Sequence, residues 1–248
     1  MGSVYFNNTL KSVSKSVATI VGLLISIACS AQKSEITIVD IGNLDRTGLS
    51  NHLAIVNKFS PKVIGLYFLL TTDSLEEDLA LVQEIAKGKN IIQSSKLHNN
   101  NSKNIYRWDS LEMYHLKFRH GESGFSNLTL TDDSVLVYEL PMRQFYRKEI
   151  VQAFSYEVAY KYDSNLIRPM YKKGVEDFTF KRNFIDQFFK VISVPDLLAG
   201  NFDKKDLANK IVLLGHVDDP NSFYTDHTRL KKISGVEVQA CLIQSIMK

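Results

Sequence analysis

Five residues near the C-terminal end, His216, Asp218, Asp219, Asp226 and His227, are the densest concentration of side chains able to ligate a cation or move a proton. They share one polar loop, so they could converge on a cation through carboxylate oxygens or imidazole nitrogens. Their spacing matches no defined metal motif, and a solvated loop is the plainer reading. Asp40 and Arg46 offer charge-assisted hydrogen bonds to a small polar ligand, or to each other if their task is only to fix a loop. Asp73 joins them from the end of an apolar run. His120-Gly-Glu-Ser-Gly124 superficially suggests a serine nucleophile. A nucleophile elbow needs Gly-x-Ser-x-Gly between a strand and a helix; here glycine follows Ser123 directly and a strand follows. No CxxC and no HxxxH occur, which sets a structural zinc site aside, and no Gly-rich phosphate loop is present. The ligand-binding candidates are therefore Asp40, Arg46, Asp73, His216, Asp219 and Asp226, with no catalytic residue, no metal ligand and no cofactor assigned.

These residues need elements to hold them. Glu35–Ile41 reads as a short apolar strand ending at Asp40. Thr47 is placed to cap the next helix, in which Leu49, Leu53 and Val56 recur at helical spacing until Pro61. Lys62–Leu70 is a continuous apolar run suited to a strand buried on both faces. Ser74 then starts a helix with Leu79, Val82 and Ile85 on one face, and Asn90–Gln93 gives a third strand. Strand and helix alternating at this spacing predict a parallel sheet. The middle is less regular: Ser126–Leu130 and Ser134–Glu139 read as paired strands, and Arg147–Tyr162 carries a helical face through Ile150, Phe154 and Val158. The last third regains the rhythm, with a strand in Phe184–Ile192, a short helix after Ser193 that stops at Gly200, a buried strand Ile211–Leu214, a long polar loop His216–Ile233 and a final helix Val236–Met247. The expected fold class is three-layer α/β, a mostly parallel sheet with flanking helices and a mixed central segment.

Composition is that of a globular chain: 248 residues, 44% hydrophobic and 23% charged, with a net charge of +3. The lysine doublets 172–173, 204–205 and 231–232 are scattered, which argues against nucleic acid as a partner. Only two cysteines occur, Cys29 and Cys241, so the fold stands on its core. Lys11 and Lys15 precede a fifteen-residue uncharged stretch, Val17–Ala31, the signature of a segment inserted into a membrane. It is short against the roughly 20 residues a spanning helix needs. A signal cleaved after Ala31, lipidation at Cys29, an uncleaved anchor and a helix buried in the fold remain open. The first three put the rest of the chain outside the cytoplasm. The expected organisation is a signal or membrane anchor over 1–32 and one α/β domain over 33–248.

Ser193-Val-Pro-Asp-Leu-Leu-Ala-Gly200, Asn209-Lys-Ile-Val-Leu-Leu-Gly215, Asp226 and Ser234-Gly-Val-Glu-Val-Gln-Ala240 follow one another in an order and spacing that resembles the second type of CHASE domain. Ile38-Val-Asp40, Arg46, Asp78-Leu-Ala80, Gly124-Phe-Ser-Asn127 and Asp132-Asp133 extend the resemblance forward. Three positions depart from the family pattern: Tyr67 stands for a usual aspartate, Ser134 for a glycine and Gln239 for a histidine. The resemblance implies an extracytoplasmic sensor of a bacterial signalling protein, not an enzyme. Such domains usually continue into transmembrane helices and a cytoplasmic cyclase or kinase, and this chain stops at Lys248, as a fragment or a stand-alone module. The expected partners are an unidentified small ligand or envelope component, the membrane through the N-terminal segment, and a second copy in a homodimer. An exported metal-assisted enzyme and a periplasmic interaction module are the alternatives.

Overall fold

The computed structural model describes residues 34–73, 78–99, 108–128, 139–147, 149–165, 177–179, 189–219, 222–224 and 232–248. The elements all belong to one compact unit, Glu35–Lys248. The expected anchor, Ser74, all but Glu139 of the expected strand Ser134–Glu139, Asp226 and His227 lie outside the described residues, and residues 126–128 of its expected partner strand Ser126–Leu130 are not strand.

The first half builds β1 (Ile36–Asp40), α1 (Arg46–Lys58), β2 (Val63–Leu66), α2 (Asp78–Lys87) and β3 (Ile91–His98). The centre holds β4 (Ser110–Glu112), β5 (Glu122–Phe125), β6 (Glu139–Pro141), β7 (Arg143–Tyr146), β8 (Glu149–Gln152) and α3 (Phe154–Tyr162). The last part holds β9 (Asp177–Thr179), β10 (Lys190–Ile192), α4 (Val194–Ala199), β11 (Ile211–Gly215), β12 (Phe223–Tyr224), β13 (Lys232–Ile233) and α5 (Gly235–Ile246).

The main sheet runs β10-β1-β11-β2-β3-β4, with β5 also paired to β3. All pairings in it are parallel except β3 with β4, which is antiparallel. Alternation along the strands sends Ile36, Ile38, Val63, Ile92, Ile211 and Leu213 to the face covered by α3 and α5. Val39, Ile64, Leu66, Val212 and Leu214 go to the face covered by α1, α2 and α4. Strands buried on both faces need apolar residues at every position, which explains the unbroken Ile211-Val-Leu-Leu run. The three-layer α/β class is as the sequence indicates.

Several boundaries differ. Asp45, not Thr47, caps α1, its carboxylate accepting from the Gly48 N–H at 2.7 Å. Strand β2 ends at Leu66, so Tyr67–Leu70 is not strand. Leu79 is 66% exposed, and Asp78, Leu81 and Ile85 form the buried face of α2. The helix expected from Arg147 begins only at Phe154, because Ile150 lies in β8 opposite Phe145 of β7. The final helix is closed at its start by a reciprocal cap: the Ser234 hydroxyl accepts from the Glu237 N–H and the Glu237 carboxylate accepts from the Ser234 N–H.

Strand β5 meets α3 backbone to backbone. A methyl group on Gly124 would lie 2.6 Å from Cα and 2.7 Å from N of Phe154, atoms that no side-chain rotation can move. Gly200, at φ 73°, faces open space. Gly124→Ala is therefore expected to cost about 2 kcal/mol or more through overpacking, against about 1 kcal/mol for Gly200→Ala from its backbone conformation alone. Urea unfolding of the two variants checks that order, and equal losses would contradict the close approach.

Candidate functional site

A parallel sheet binds ligands beyond the carboxyl ends of its strands, where strand order reverses. Here β11 lies between β1 and β2, so the reversal falls at Asp40, Gly215 and Leu66. The Asp40 carboxylate accepts from the N–H groups of Gly42 and Val217, both at 3.1 Å, and ties the loop after β1 to the loop after β11. Beneath it His52 of α1 is fully buried. Burial holds its pKa below the ordinary value, against the opposing pull of the Gly48 carbonyl and the Asp40 charge.

Arg46 turns away from Asp40. Its guanidinium donates to the Asp78 carboxylate, to the Thr72 carbonyl at 2.8 Å and to the Thr72 hydroxyl at 3.0 Å. The Lys117 ammonium reaches the same Asp78 carboxylate and that of Asp73. Both cations lie over the Phe118 ring, 5.3 Å and 5.4 Å from its centroid. The Asp78 side chain is only 2% exposed, so two cations compensate one buried charge, whereas that of Asp73 is 43% exposed. Lost hydration and the neighbouring Arg46 charge lower the Lys117 pKa. Two residues nominated from sequence, Arg46 and Asp73, thus belong to one rim cluster, and Asp40 belongs to another.

His216 is exposed and Asp219 half-buried just beyond β11. The loop they open is shorter than its sequence suggested, since β12 and β13 pair antiparallel within it. Among the described residues no group of three or more His, Cys, Asp or Glu converges as metal ligands would. Ser123 sits inside β5, opposite Gln93, with no elbow.

Beyond Leu66 the chain leaves the sheet, although the Tyr67 N–H still donates to the Leu214 carbonyl at 2.8 Å. Tyr67, Phe68 and Leu69 then wall a crevice of about 390 Å³. Ser94 and Lys96 of β3, Ser126–Leu128 after β5, and Phe223 of β12 complete it. A second hollow of about 510 Å³ lies at the opposite edge, between the C-terminal ends of α1 and α2. Position favours the first, which lies at the carboxyl ends of β2, β3 and β5.

Two residues that line the crevice, Tyr67 and Ser126, touch α5. A methyl on Gly235 would fall 2.5 Å from the Tyr67 hydroxyl oxygen and 2.7 Å from its ring, and one on Gly215 would fall 2.8 Å from Cβ of Val236. The Gln239 amide donates to the Ser126 carbonyl at 3.5 Å. Burial, then the Asp219 charge, raise the Tyr67 pKa well above the ordinary value, and the Gln239 side chain partly offsets them. Tyr67 and Gln239, two of the positions departing from the family pattern, are therefore neighbours. Sequence reading missed Lys96, Lys117 and Phe223. Only Lys96 left a trace, the polar Ser94-x-Lys96 alternation following the apolar Ile91-Ile92.

Among the described residues no helix is long and apolar enough to cross a membrane. The family model described as CHASE2 domain matches residues 26–248. No curated protein and no solved structure matches the chain.

The rim cluster makes a graded prediction. Asp78→Asn leaves two cations against a neutral buried amide and is expected to cost roughly 3 kcal/mol in urea unfolding. Asp73→Asn removes an exposed partner and is expected to cost under about 1 kcal/mol. Equal costs would show that burial of Asp78 does not set the cluster's worth.

Proposed function

The chain belongs to the CHASE2 domain family, whose members are extracytoplasmic sensor domains and not catalysts, and from that premise we propose that its crevice is a ligand site read out by α5. In this reading residues 1–32 target or tether the chain to a membrane, the domain lies outside the cytoplasm, and a small molecule entering beside Tyr67 displaces the foot of the last helix. Asp40, Arg46 and Asp73 hold the rim loops in register, and the Asp219 charge acts on Tyr67.

One observation carries the proposal: the ring that walls the crevice also presses on Gly235, where not even a methyl group fits. A ligand that moves Tyr67 must therefore move α5 or be resisted by it. Ser126 supplies a second link, lining the crevice and accepting from Gln239. A ligand shifts such an equilibrium only by the difference in its affinity for the two arrangements, and contact with a shared wall provides that difference.

The test is hydrogen exchange on the full chain mixed with the small-molecule fraction of an envelope extract. Exchange is expected to change in both the crevice strands and the first turns of α5, and Tyr67→Ala should uncouple the helix from the crevice. A response in the crevice that never reaches α5 would overturn the transmission step. No response in either place would overturn the sensing role.

A further inference from the structure

We propose that the crevice takes a small monoanionic organic acid, with an apolar body against its aromatic walls and a carboxylate at Lys96. The inference rests on the crevice being the sensing site. Its volume of about 390 Å³ lies within the range of small-molecule sites, which are mainly apolar with a few placed polar groups. The walls are three rings, Tyr67, Phe68 and Phe223, with two leucines. They offer an apolar surface too large for a bare inorganic anion.

The polar lining decides the charge. The Ser94 hydroxyl already donates to the Phe68 carbonyl at 2.9 Å, and the Ser126 hydroxyl to the Ser95 carbonyl at 3.0 Å. The Asn127 amide is spent on the Leu97 backbone, donating to its carbonyl and accepting from its N–H, each at 2.8 Å. Among the described residues of the lining, Lys96 is the charged one and none is a carboxylate. It sits directly across from Glu112 in the β3–β4 pairing. The Glu112 carboxylate nevertheless lies 2.9 Å from the His98 ring nitrogen, and Lys96 forms no ion pair among the described residues. Among the described residues the crevice therefore presents one cation without an ion pair above apolar walls. A cationic ligand is repelled, and a neutral one accepts a hydrogen bond from the ammonium without the attraction of an opposite charge. A phosphate monoester brings more charge than one ammonium compensates. One carboxylate matches one ammonium through charge-assisted hydrogen bonds.

The probes are phenylacetate and hexanoate, each beside its primary amide, titrated into the full chain and followed by protein-observed NMR. An acid is expected to bind about tenfold tighter than its amide, with shifts at Ser94, Lys96 and Phe223, and Lys96→Gln should erase that preference. Amides binding as well as acids, or a preference that survives Lys96→Gln, would overturn the anionic class while leaving the crevice as the site. Binding of none of the four would overturn the inference as well. The sensing role then stands if α5 still responds to the envelope fraction, and falls with the inference if it does not.

Discussion

Strand β11 is inserted between β1 and β2, which are successive in sequence but not adjacent in space, and most of the molecule's organisation follows from that insertion. Each of its residues, Ile211–Gly215, is buried and pairs in parallel with β1 on one side, and all but Gly215 pair with β2 on the other. Burying a Leu, Ile or Val side chain contributes about 1.5–3 kcal/mol, and here the burial falls on both faces of one strand. It offsets the entropy of bringing the last fifth of the chain back to the first. Because β11 ends at Gly215, the chain emerges where the ends of β1 and β2 also emerge. The Asp40 tie lies where that strand stops, and Gly215 there packs closely against Val236 of α5.

The charged rim follows from the same geometry. Loops after parallel strands crowd at one edge and carry backbone groups that the sheet no longer satisfies. The Asp40 carboxylate takes two of those N–H groups, and the Arg46 guanidinium takes the Thr72 carbonyl. Burying Asp78 would be costly alone, but Arg46 and Lys117 both reach it, so the cluster holds three segments of chain together. On one side the crevice is bounded by Tyr67, whose ring packs against Gly235 at the start of α5.

What the sequence made legible is the alternating framework: β1, α1, β11, α4 and α5 lie within a few residues of their expected positions, because each combines an apolar run with a cap or a glycine stop. The failures share a cause. Periodicity marks burial rather than hydrogen bonding. Lys62–Leu70 reads as one strand although Tyr67–Leu70 spends its apolar surface on a crevice and on Tyr114 and Phe118. Ile150, Phe154 and Val158 fit a helix by spacing, yet Ile150 is 48% exposed on a hairpin. The family resemblance marked Tyr67 and Gln239 as unusual, but only the fold makes them neighbours. Lys117 was illegible and Lys96 left only the trace of a polar alternation, since a lysine's partners depend on which strand lies beside it.

The central claim is that Tyr67 and the foot of α5 form one mechanical unit, and a double-mutant cycle on Gly235→Ala and Tyr67→Ala tests it most directly. With Tyr67 present, the new methyl has no room and the substitution should destabilise the domain by about 1–3 kcal/mol. With Tyr67→Ala the obstacle is gone, and Gly235→Ala should be neutral or stabilising by up to about 1 kcal/mol, as alanine in a helix turn ordinarily is. A change of sign, or a coupling of at least about 1 kcal/mol, is the predicted result. The same effect of Gly235→Ala in both backgrounds would mean that the crevice wall and the helix do not feel one another, and would contradict the account.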